Sequence, residues 1–576
     1  MSAIAGAVGP LDPGVLEAML AAVDYRGDRS DIATGEGASL GTRWWTGRPG
    51  KSEGVWRDSG GASVVAGSFA PPSATTPAQE LAGILADSSL EATLDGSFAG
   101  ARWDARARRL TLIRDPFGVR SLYYVVHRGT FYFASELKQL LAIPDLPVEA
   151  DPVALHKYLT FSFVPGEDVP VRGIKRLLPG RIATWESGRL AIRPYFSVQE
   201  AIDPSLTQAD AVKLVGELAR AAVAKRVRGE REVGLFLSGG IDSSGIAVWL
   251  KQAGLSVRAF SLDFGGASVE REQAATVAST LGIALQMVRV DGEELREHLD
   301  DLVWKLDLPF GDPVTGPQYL LARAARSTGL TSVFNGEGGD QLFGGWTSKP
   351  MVAAELYAGL YGEDTRAARY LESYHRFYGL EELLYSDRFR EEVGPPGQRR
   401  ALLEPYLASQ QASTFLNRVR LADISLKGSQ NILPRMDRTA QAFGLDVRAP
   451  LFDRALAEAS FRIPPQLKLR GATEKFVLKL ALKRELPEEI VWRRKFGMSV
   501  PITDWVLGPL APWIESLLGP EAIARRGLFR PEYVAQLRAG RDTADELRRR
   551  RLGERLWTLA MLEAWLRVFI DRRGRR

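Results

Sequence analysis

The chain contains no cysteine. No disulfide, thiolate metal site or cysteine nucleophile is therefore available to it. Histidine is nearly absent too: His127, His156, His298 and His375 are the full set. No two of them are spaced to share a metal ion, which argues against a zinc centre or a histidine-dependent triad. No apolar run reaches the roughly 18 residues of a membrane span. The opening Met1-Ser2-Ala3-Ile4-Ala5-Gly6 lacks the basic and apolar regions of an export signal, so the expected location is cytoplasmic. Net charge is small, with 75 Lys and Arg against 70 Asp and Glu leaving +5. That excludes a whole-chain nucleic-acid or membrane binder. The arginines at 548–551 and at 572, 573, 575 and 576 read as solvated faces or chain ends. Against these absences stand 576 residues, 45% of them apolar and 25% charged. Such a chain fills more than one core, so whole-chain disorder is excluded and two or three domains are expected.

Residues 1 to about 195 read as short strands broken by turn residues. Examples are 63–66, 110–113 and 122–126, punctuated by Asp115-Pro116-Phe117-Gly118 and Pro179-Gly180. A helix is expected over 12–23, with Pro13 in its first turn. This half reads as a β-rich layered domain, 1–195. Residues 197–208 carry turn residues and little periodicity, which places a boundary there, and a helix over 209–226 follows. From Val233 the pattern becomes strand, loop, helix. Apolar runs at 233–237, 257–262 and 332–334 resemble buried parallel strands, with helices between them. Beyond 347 the pattern is mostly helical. The second unit is thus 209–576, a parallel α/β sheet with a helical C-terminal part, and no internal repeat is visible.

The segment with most chemical content is Leu237-Ser238-Gly239-Gly240-Ile241-Asp242-Ser243-Ser244. It follows an apolar strand and precedes a helix expected from Gly245. Two glycines permit a turn whose N–H groups face an anion. The helix N-terminus and the serine hydroxyls add to that, so a pyrophosphate fits. Asp242 fits beside phosphate only through an intervening Mg2+. Gly-Gly-Ser alone is equally a strand–turn–helix with a serine cap. No Gly-Lys-Ser/Thr follows, so this is not a Walker loop. A second loop, Asn335-Gly336-Glu337-Gly338-Gly339-Asp340, also follows a short apolar run. Ligands bind beyond the carboxyl ends of parallel strands, so both loops are expected to open onto one crevice. There Asp242 and Asp340 would share Mg2+, and Glu337 would reach the acyl centre. Alone, this loop is also an ordinary acidic turn. Trp492-Arg493-Arg494-Lys495-Phe496-Gly497 by itself is only a basic turn.

The first loop matches the Ser-Gly-Gly-x-Asp-Ser pyrophosphate loop of ATP pyrophosphatases, and nearly the whole chain resembles the asparagine synthetase B family. The resemblance rests on the first six residues, on Leu94-Asp95-Gly96-Ser97-Phe98-Ala99 and on Arg114-Asp115-Pro116-Phe117-Gly118-Val119-Arg120. It rests further on Asp312-Pro313, both glycine-rich loops, Asp437-Arg438 with the block 445–453, and Leu556-Trp557 through Glu563-Ala564-Trp565. It implies an Ntn-type glutaminase-like sandwich followed by an ATP-pyrophosphatase synthetase domain using ATP and Mg2+. It also implies roles. Asp242 and Asp340 would hold the metal. Leu237, Ser238, Gly239, Gly240, Ser243 and Ser244 would form the pyrophosphate loop. Leu262 and Gly336 would border the adenosine, and Lys475 would contact phosphates. Lys495 would stabilise charge as the amine attacks, and Glu337 would assist proton removal.

The chain departs from the family at its nucleophile. Ser2 stands where the family has cysteine, and a serine hydroxyl ionises far less readily. The family's Asn-Gly-Glu-x-Tyr-Asn appears as Ala66-Gly67-Ser68-Phe69-Ala70, its Arg-Gly-Pro-Asp as Arg26-Gly27-Asp28-Arg29, and Trp44 or Trp45 falls near its glutamine-binding arginine. Glutamine hydrolysis is therefore expected to be absent. The amine would come from ammonia or from the substrate itself. Three branches of the superfamily fit: lasso-peptide cyclases, β-lactam synthetases and ammonia-using asparagine synthetase-like enzymes. β-Lactam synthetases carry Tyr where this chain keeps Glu337, which weakens that branch; loss of the glutamine site beside intact synthetase motifs makes the macrolactam cyclase the first expectation. Its substrate would be a peptide, the alternatives being small carboxylic acids. A leader peptidase, a precursor-binding protein and a homo-oligomer are the implied partners. A non-enzymatic scaffold is the remaining alternative, disfavoured by the intact loops.

Overall fold

The computed structural model describes residues 2–47, 54–266, 269–345, 364–395, 397–407, 412–493, 497–540 and 546–571. The strands before residue 200 are β1 (Ser2–Val8), β2 (Arg29–Gly35), β3 (Ala38–Trp44), β4 (Trp56–Asp58), β5 (Gly61–Phe69), β6 (Gly96–Asp104), β7 (Arg109–Arg114), β8 (Tyr123–His127), β9 (Thr130–Ala134), β10 (Lys175–Arg176), β11 (Arg181–Glu186) and β12 (Arg189–Pro194). They form two six-stranded antiparallel sheets, β10-β8-β9-β1-β3-β2 and β12-β11-β7-β6-β5-β4.

Side-chain alternation explains the layering. Successive residues of a strand point to opposite faces. On β9, Phe131 and Phe133 enter the core between the sheets, where they meet Ile4, Leu40, Val64 and Leu112. Tyr132 and Ala134 point the other way, onto the helix Val15–Ala21 and the large core shared with the second half. On the far sheet, Val65, Phe98 and Ile113 pack under the helix Pro77–Ala86. The expected helix over 12–23 is shorter than its pattern. Gly14 sits at φ 82°, a left-handed turn that delays the start to Val15, and a separate 3-10 turn, Asp24–Arg26, follows Ala21.

The second half begins with the helix Gln208–Ala224, fixed by a capping box between Thr207 and Asp210. Five parallel strands follow: β13 (Glu232–Phe236), β14 (Ser256–Asp263), β15 (Ala284–Arg289), β16 (Ser332–Phe334) and β17 (Asp446–Arg448). Their order is β15-β14-β13-β16-β17. β17 interrupts the region expected to be helical. Three residues bounded by charges give almost no strand signal, and only pairing with β16 makes them one. The architecture is thus an antiparallel sandwich joined to a parallel α/β sheet with helical additions. Among the described residues no helix is long and apolar enough to cross a membrane.

Buried charges join the halves. In the turn after β7, the Asp115 carboxylate accepts N–H bonds from Phe117, Val119 and Arg120 at 3.0–3.2 Å. That turn aims Arg120 across the boundary. Its guanidinium pairs with Asp437 and lies 2.9 Å from Asp446 Oδ1. Nearby, buried Glu136 pairs with Arg26, Lys138 and Arg438.

Candidate active site

The order of the parallel sheet reverses between β13 and β16, with β14 and β15 on one side and β17 on the other. Chains leaving such a switch point diverge and open a crevice at the carboxyl ends of the strands. Both glycine-rich loops leave from this point.

After β13 the chain turns at Gly239 (φ 71°), where a Cβ would lie 2.6 Å from the Ala274 backbone nitrogen. The following helix is Ile241–Gln252 with Gly240 as its cap, so it starts earlier than expected. Asp242, Ser243 and Ser244 occupy its first turn, where an acidic side chain meets the positive end of the helix. Ser243 Oγ accepts from the Ser238 N–H and donates to the Gly240 carbonyl, both at 3.2 Å, and so holds the turn closed. Ser244 is fully buried.

After β16, Gly338 takes φ 117° and starts the short helix Gly339–Phe343. The glycines here are spacing devices. A Cβ on Gly336 would lie 2.4 Å from the Ser243 nitrogen, and one on Gly339 would lie 2.0 Å from Asp242 Oδ1. The two loops therefore touch, and Asp242 and Asp340 face each other. Between them lies the Nζ of Lys475, paired with Asp242 and 2.6 Å from Asp340 Oδ1. Burial opposes the charge on Lys475, but the two carboxylates outweigh it and hold its pKa above the ordinary lysine value. Lys475 itself has φ 54°, a left-handed conformation at the start of the helix Phe476–Leu482. A Cβ on Gly345 would lie 2.0 Å from Lys475 Cε, so this side also admits no bulk.

Two cavities meet at this point. Phe236, Leu237, Leu262, Gly336, Met436 and Met498 line the first, an apolar slot at the ends of β13 and β14. Asp340, Lys475, Asp312, Lys427, Arg435 and Arg493 line the second. Ser238, Gly240, Asp242, Glu270, Gln318, Glu337 and Met498 are common to both walls. Burial raises the pKa of Glu270.

Most of the expected site residues therefore gather here. Gly239 and Ser244 line neither cavity: Gly239 shapes the turn, and Ser244 packs inward. Lys495 lies outside the described residues. Its neighbours Arg493 and Gly497 both line the second cavity, and Arg493 O accepts from Lys479 Nζ at 3.1 Å. Glu270, Gln318, Lys427, Arg435 and Met436 were not legible as site residues. Only Asp312-Pro313 and the basic turn around Arg493 gave a local signal. In the first half, Ser2 is 2% exposed. Its Oγ donates to the Val65 carbonyl at 3.3 Å and accepts from the Gly67 N–H at 3.2 Å.

The donor set suits Mg2+. Asp242 and Asp340 already surround a cationic group, and glycines at 339 and 345 leave them the room. Among the described residues no three His, Cys, Asp or Glu side chains gather as a metal site. A hard divalent ion held by two carboxylates takes its remaining ligands from phosphate and water.

A phosphate-type loop at the switch point of a parallel sheet, joined to an antiparallel sandwich, is the architecture of a two-part nucleotide-using synthetase. Residues 214–567 match the asparagine synthase family, and 86–196 match the glutamine amidotransferase domain. The chain belongs to the asparagine synthase family, ATP-dependent carbon–nitrogen ligases. It is 29% identical over 510 residues to "Asparagine synthetase [glutamine-hydrolyzing] 1" of Bacillus subtilis, covering 83% of this chain and 78% of that one. It is 24% identical over 502 residues to "Amidase chyE" of Penicillium rubens, covering 75% and 74%. Among solved structures it resembles the glutamine phosphoribosylpyrophosphate amidotransferase of B. subtilis only distantly. The TM-score is 0.25 and the identity 13%, over 58% of this chain and 80% of that one.

Proposed function

We propose that this protein activates a carboxylate with ATP and couples it to an amine that does not come from glutamine. The observation that carries the second clause is Ser2, whose hydroxyl is buried and engaged by the backbone at Val65 and Gly67. The chain divides into a glutaminase-like unit, 1–195, without hydrolytic chemistry, and a synthetase unit, 209–576. The first cavity takes the adenosine, with Leu262 and Gly336 at its border. The backbone of the 237–240 turn, Ser238 and Ser243 hold the pyrophosphate. Asp242 and Asp340 would hold Mg2+, which supplies charge neutralisation at the phosphates. Lys475, already seated between these carboxylates, follows the phosphates as a second cation.

The substrate acid enters the second cavity. One of its oxygens attacks the α-phosphorus, the bond to the bridging oxygen breaks, and pyrophosphate leaves. The amine then attacks the acyl carbon, the bond to AMP breaks, and Glu337 takes a proton from the nitrogen. Lys495 stabilises the departing charge. Fixing the amine beside the activated carbonyl makes this step effectively intramolecular, and the cations around it stabilise the developing charge.

Among substrates we favour a peptide whose Asp or Glu side chain closes on its own N-terminus, as in lasso-peptide cyclases. A leader peptidase and a precursor-binding protein would then precede it. A second reading is amidation of aspartate with ammonia, favoured by the likeness to asparagine synthetases. AMP and pyrophosphate release with Mg-ATP separates them. Peptide-dependent AMP with a product lighter by one water supports the cyclase. Release with aspartate and ammonia alone supports the second reading, and activity with glutamine overturns the assignment of Ser2.

A further inference from the structure

We propose that Asp312 is the docking site for the incoming amine, which it receives as an ammonium ion. This rests on the amide-synthetase reading above. It adds the protonation state in which the amine enters and the wall that receives it.

Near neutral pH most aliphatic amines and ammonia are protonated. A site that must collect an amine therefore meets a cation first, and a fixed anion in the acceptor cavity is the group to hold it. The second cavity has several carboxylates, but they differ in what already faces them. Asp242 and Asp340 face Lys475. Glu270 already faces Arg493. Glu474 stands beside Lys479, and Glu337, in the wall common to both cavities, is the group assigned to take the proton.

Asp312 also has a cationic partner, but it stands apart from the metal-site pair and holds a fixed place on the cavity wall. It stands just before the helix Thr315–Ser327, and its backbone carbonyl accepts from the Thr315 N–H and hydroxyl at 3.0 and 2.7 Å. Its Oδ2 accepts from Arg435 Nη1 at 2.6 Å, and its Oδ1 accepts from the Val314 N–H at 3.3 Å. Arg435 is itself fixed by Gln318 and Asn431 at 3.1 and 3.3 Å. Burial works against the charge on Asp312, yet Arg435 and Arg376 keep the carboxyl ionised.

Exposure leaves Asp312 reachable from the cavity. The Arg435 side chain is 4% exposed, while that of Asp312 is 33% exposed and faces the cavity. Each carboxylate oxygen has lone-pair capacity beyond the single bond it accepts. The result is a rigid anion with free acceptor capacity on the wall of the acceptor cavity. Water in the open cavity takes one proton from the docked ammonium, the neutral amine attacks, and Glu337 takes the second proton from nitrogen as the amide forms.

The test uses the full chain with Mg-ATP and either aspartate or an N-acetylated peptide acid that cannot close on itself. Ammonium chloride and hydroxylamine serve as amines, the second being largely uncharged near neutral pH. With Asp312→Asn, the KM for ammonium should rise about tenfold or more relative to any change in ATP–pyrophosphate exchange, the loss expected for a hydrogen bond to a charged group. Hydroxylamine use should fall much less, and Asp312→Glu should recover most of the ammonium use. Equal losses with both amines, or a loss confined to exchange, overturn the proposal and leave Asp312 as a support for Arg435. A measurement on the unsubstituted protein needs no variant to fold. If the cation docks, the KM for total ammonia stays nearly constant as pH rises from neutrality toward the ammonium pKa. If free ammonia binds, that KM falls about tenfold per pH unit, which overturns the proposal. Absence of acid-dependent exchange in the unsubstituted protein overturns the synthetase reading along with it. Exchange with a free-base profile overturns this proposal alone.

Discussion

Replacing Gly339 with alanine should silence ATP-dependent turnover while leaving the fold intact. The added Cβ would sit 2.0 Å from Asp242 Oδ1, 2.4 Å from its Cγ and 2.9 Å from Oδ2. Ordinary contact begins at 3.4 Å, so the Asp242 carboxyl must retreat by more than about 1 Å. It cannot do so alone, because Lys475 is bound to it and to Asp340 on the other side. A displacement of about 1 Å in a reacting constellation costs about a hundredfold in rate. The backbone has no objection: Gly339 is not among the positive-φ residues, and it opens a helix. Alanine there should lower stability only by the cost of that displacement, about 1–3 kcal/mol, and leave a cooperative melt. Gly216→Ala is the matched control. It lies inside the helix Gln208–Ala224 with no atom within 4 Å of the new Cβ. It should keep full turnover and gain about 1 kcal/mol of stability. The assay is AMP release beside a thermal melt of each variant. Gly339→Ala with turnover within threefold of the unsubstituted protein would refute the claim that the spacing of the two loops sets the metal and phosphate geometry.

Other substitutions probe the rest of the frame. Arg120→Met should cost about 3–5 kcal/mol, because Asp437 and Asp446 lose a buried partner; an unchanged denaturation midpoint would show that their remaining partners suffice. His156 is held neutral by burial, with Arg399 and Lys157 adding to the effect, so that its pKa falls to about 3. The unfolded chain takes up that proton below about 6.5, so the folded state loses about 1.4 kcal/mol per pH unit as pH falls from about 6.5 toward 3. His156→Asn, which can still meet the Tyr385 hydroxyl now 2.9 Å from Nδ1, should flatten that acid limb in melts taken across the range. Ser2→Ala should leave amide synthesis unchanged, and a large loss would show that the first half retains chemistry.

The legible parts of the site were those written in contiguous residues. A glycine pair after an apolar run, followed by Asp242, announces a turn, an anion and a metal together. The same holds for the 335–340 loop. What escaped depends on tertiary placement. Arg435 meets Asp312 across 123 residues of sequence, and neither carries a periodic or compositional mark that names the other. Lys475 was expected from the resemblance as a phosphate contact, but its bridge between two aspartates was not: it depends on a left-handed residue at the start of its helix. β17 is a strand only by virtue of its neighbour. The early start of the helix at Ile241 was masked by Gly245, which reads as a helix boundary but sits in the second turn, where a Cβ would meet Leu482 Cδ1 at 2.8 Å.

The clamp of Arg120 on the second half has a consequence for descent. Under the proposed function the first half contributes no ammonia, and a unit without chemistry is ordinarily free to disappear from a gene. Here its removal would take the guanidinium from Asp437 and Asp446 and would strip Glu136 from Arg438. It would also take Asp95 from Arg226. A shortened gene would have to substitute several of these buried charges at once before its product could fold. On the reading proposed above, the first half is kept for the buried charges it supplies to the second.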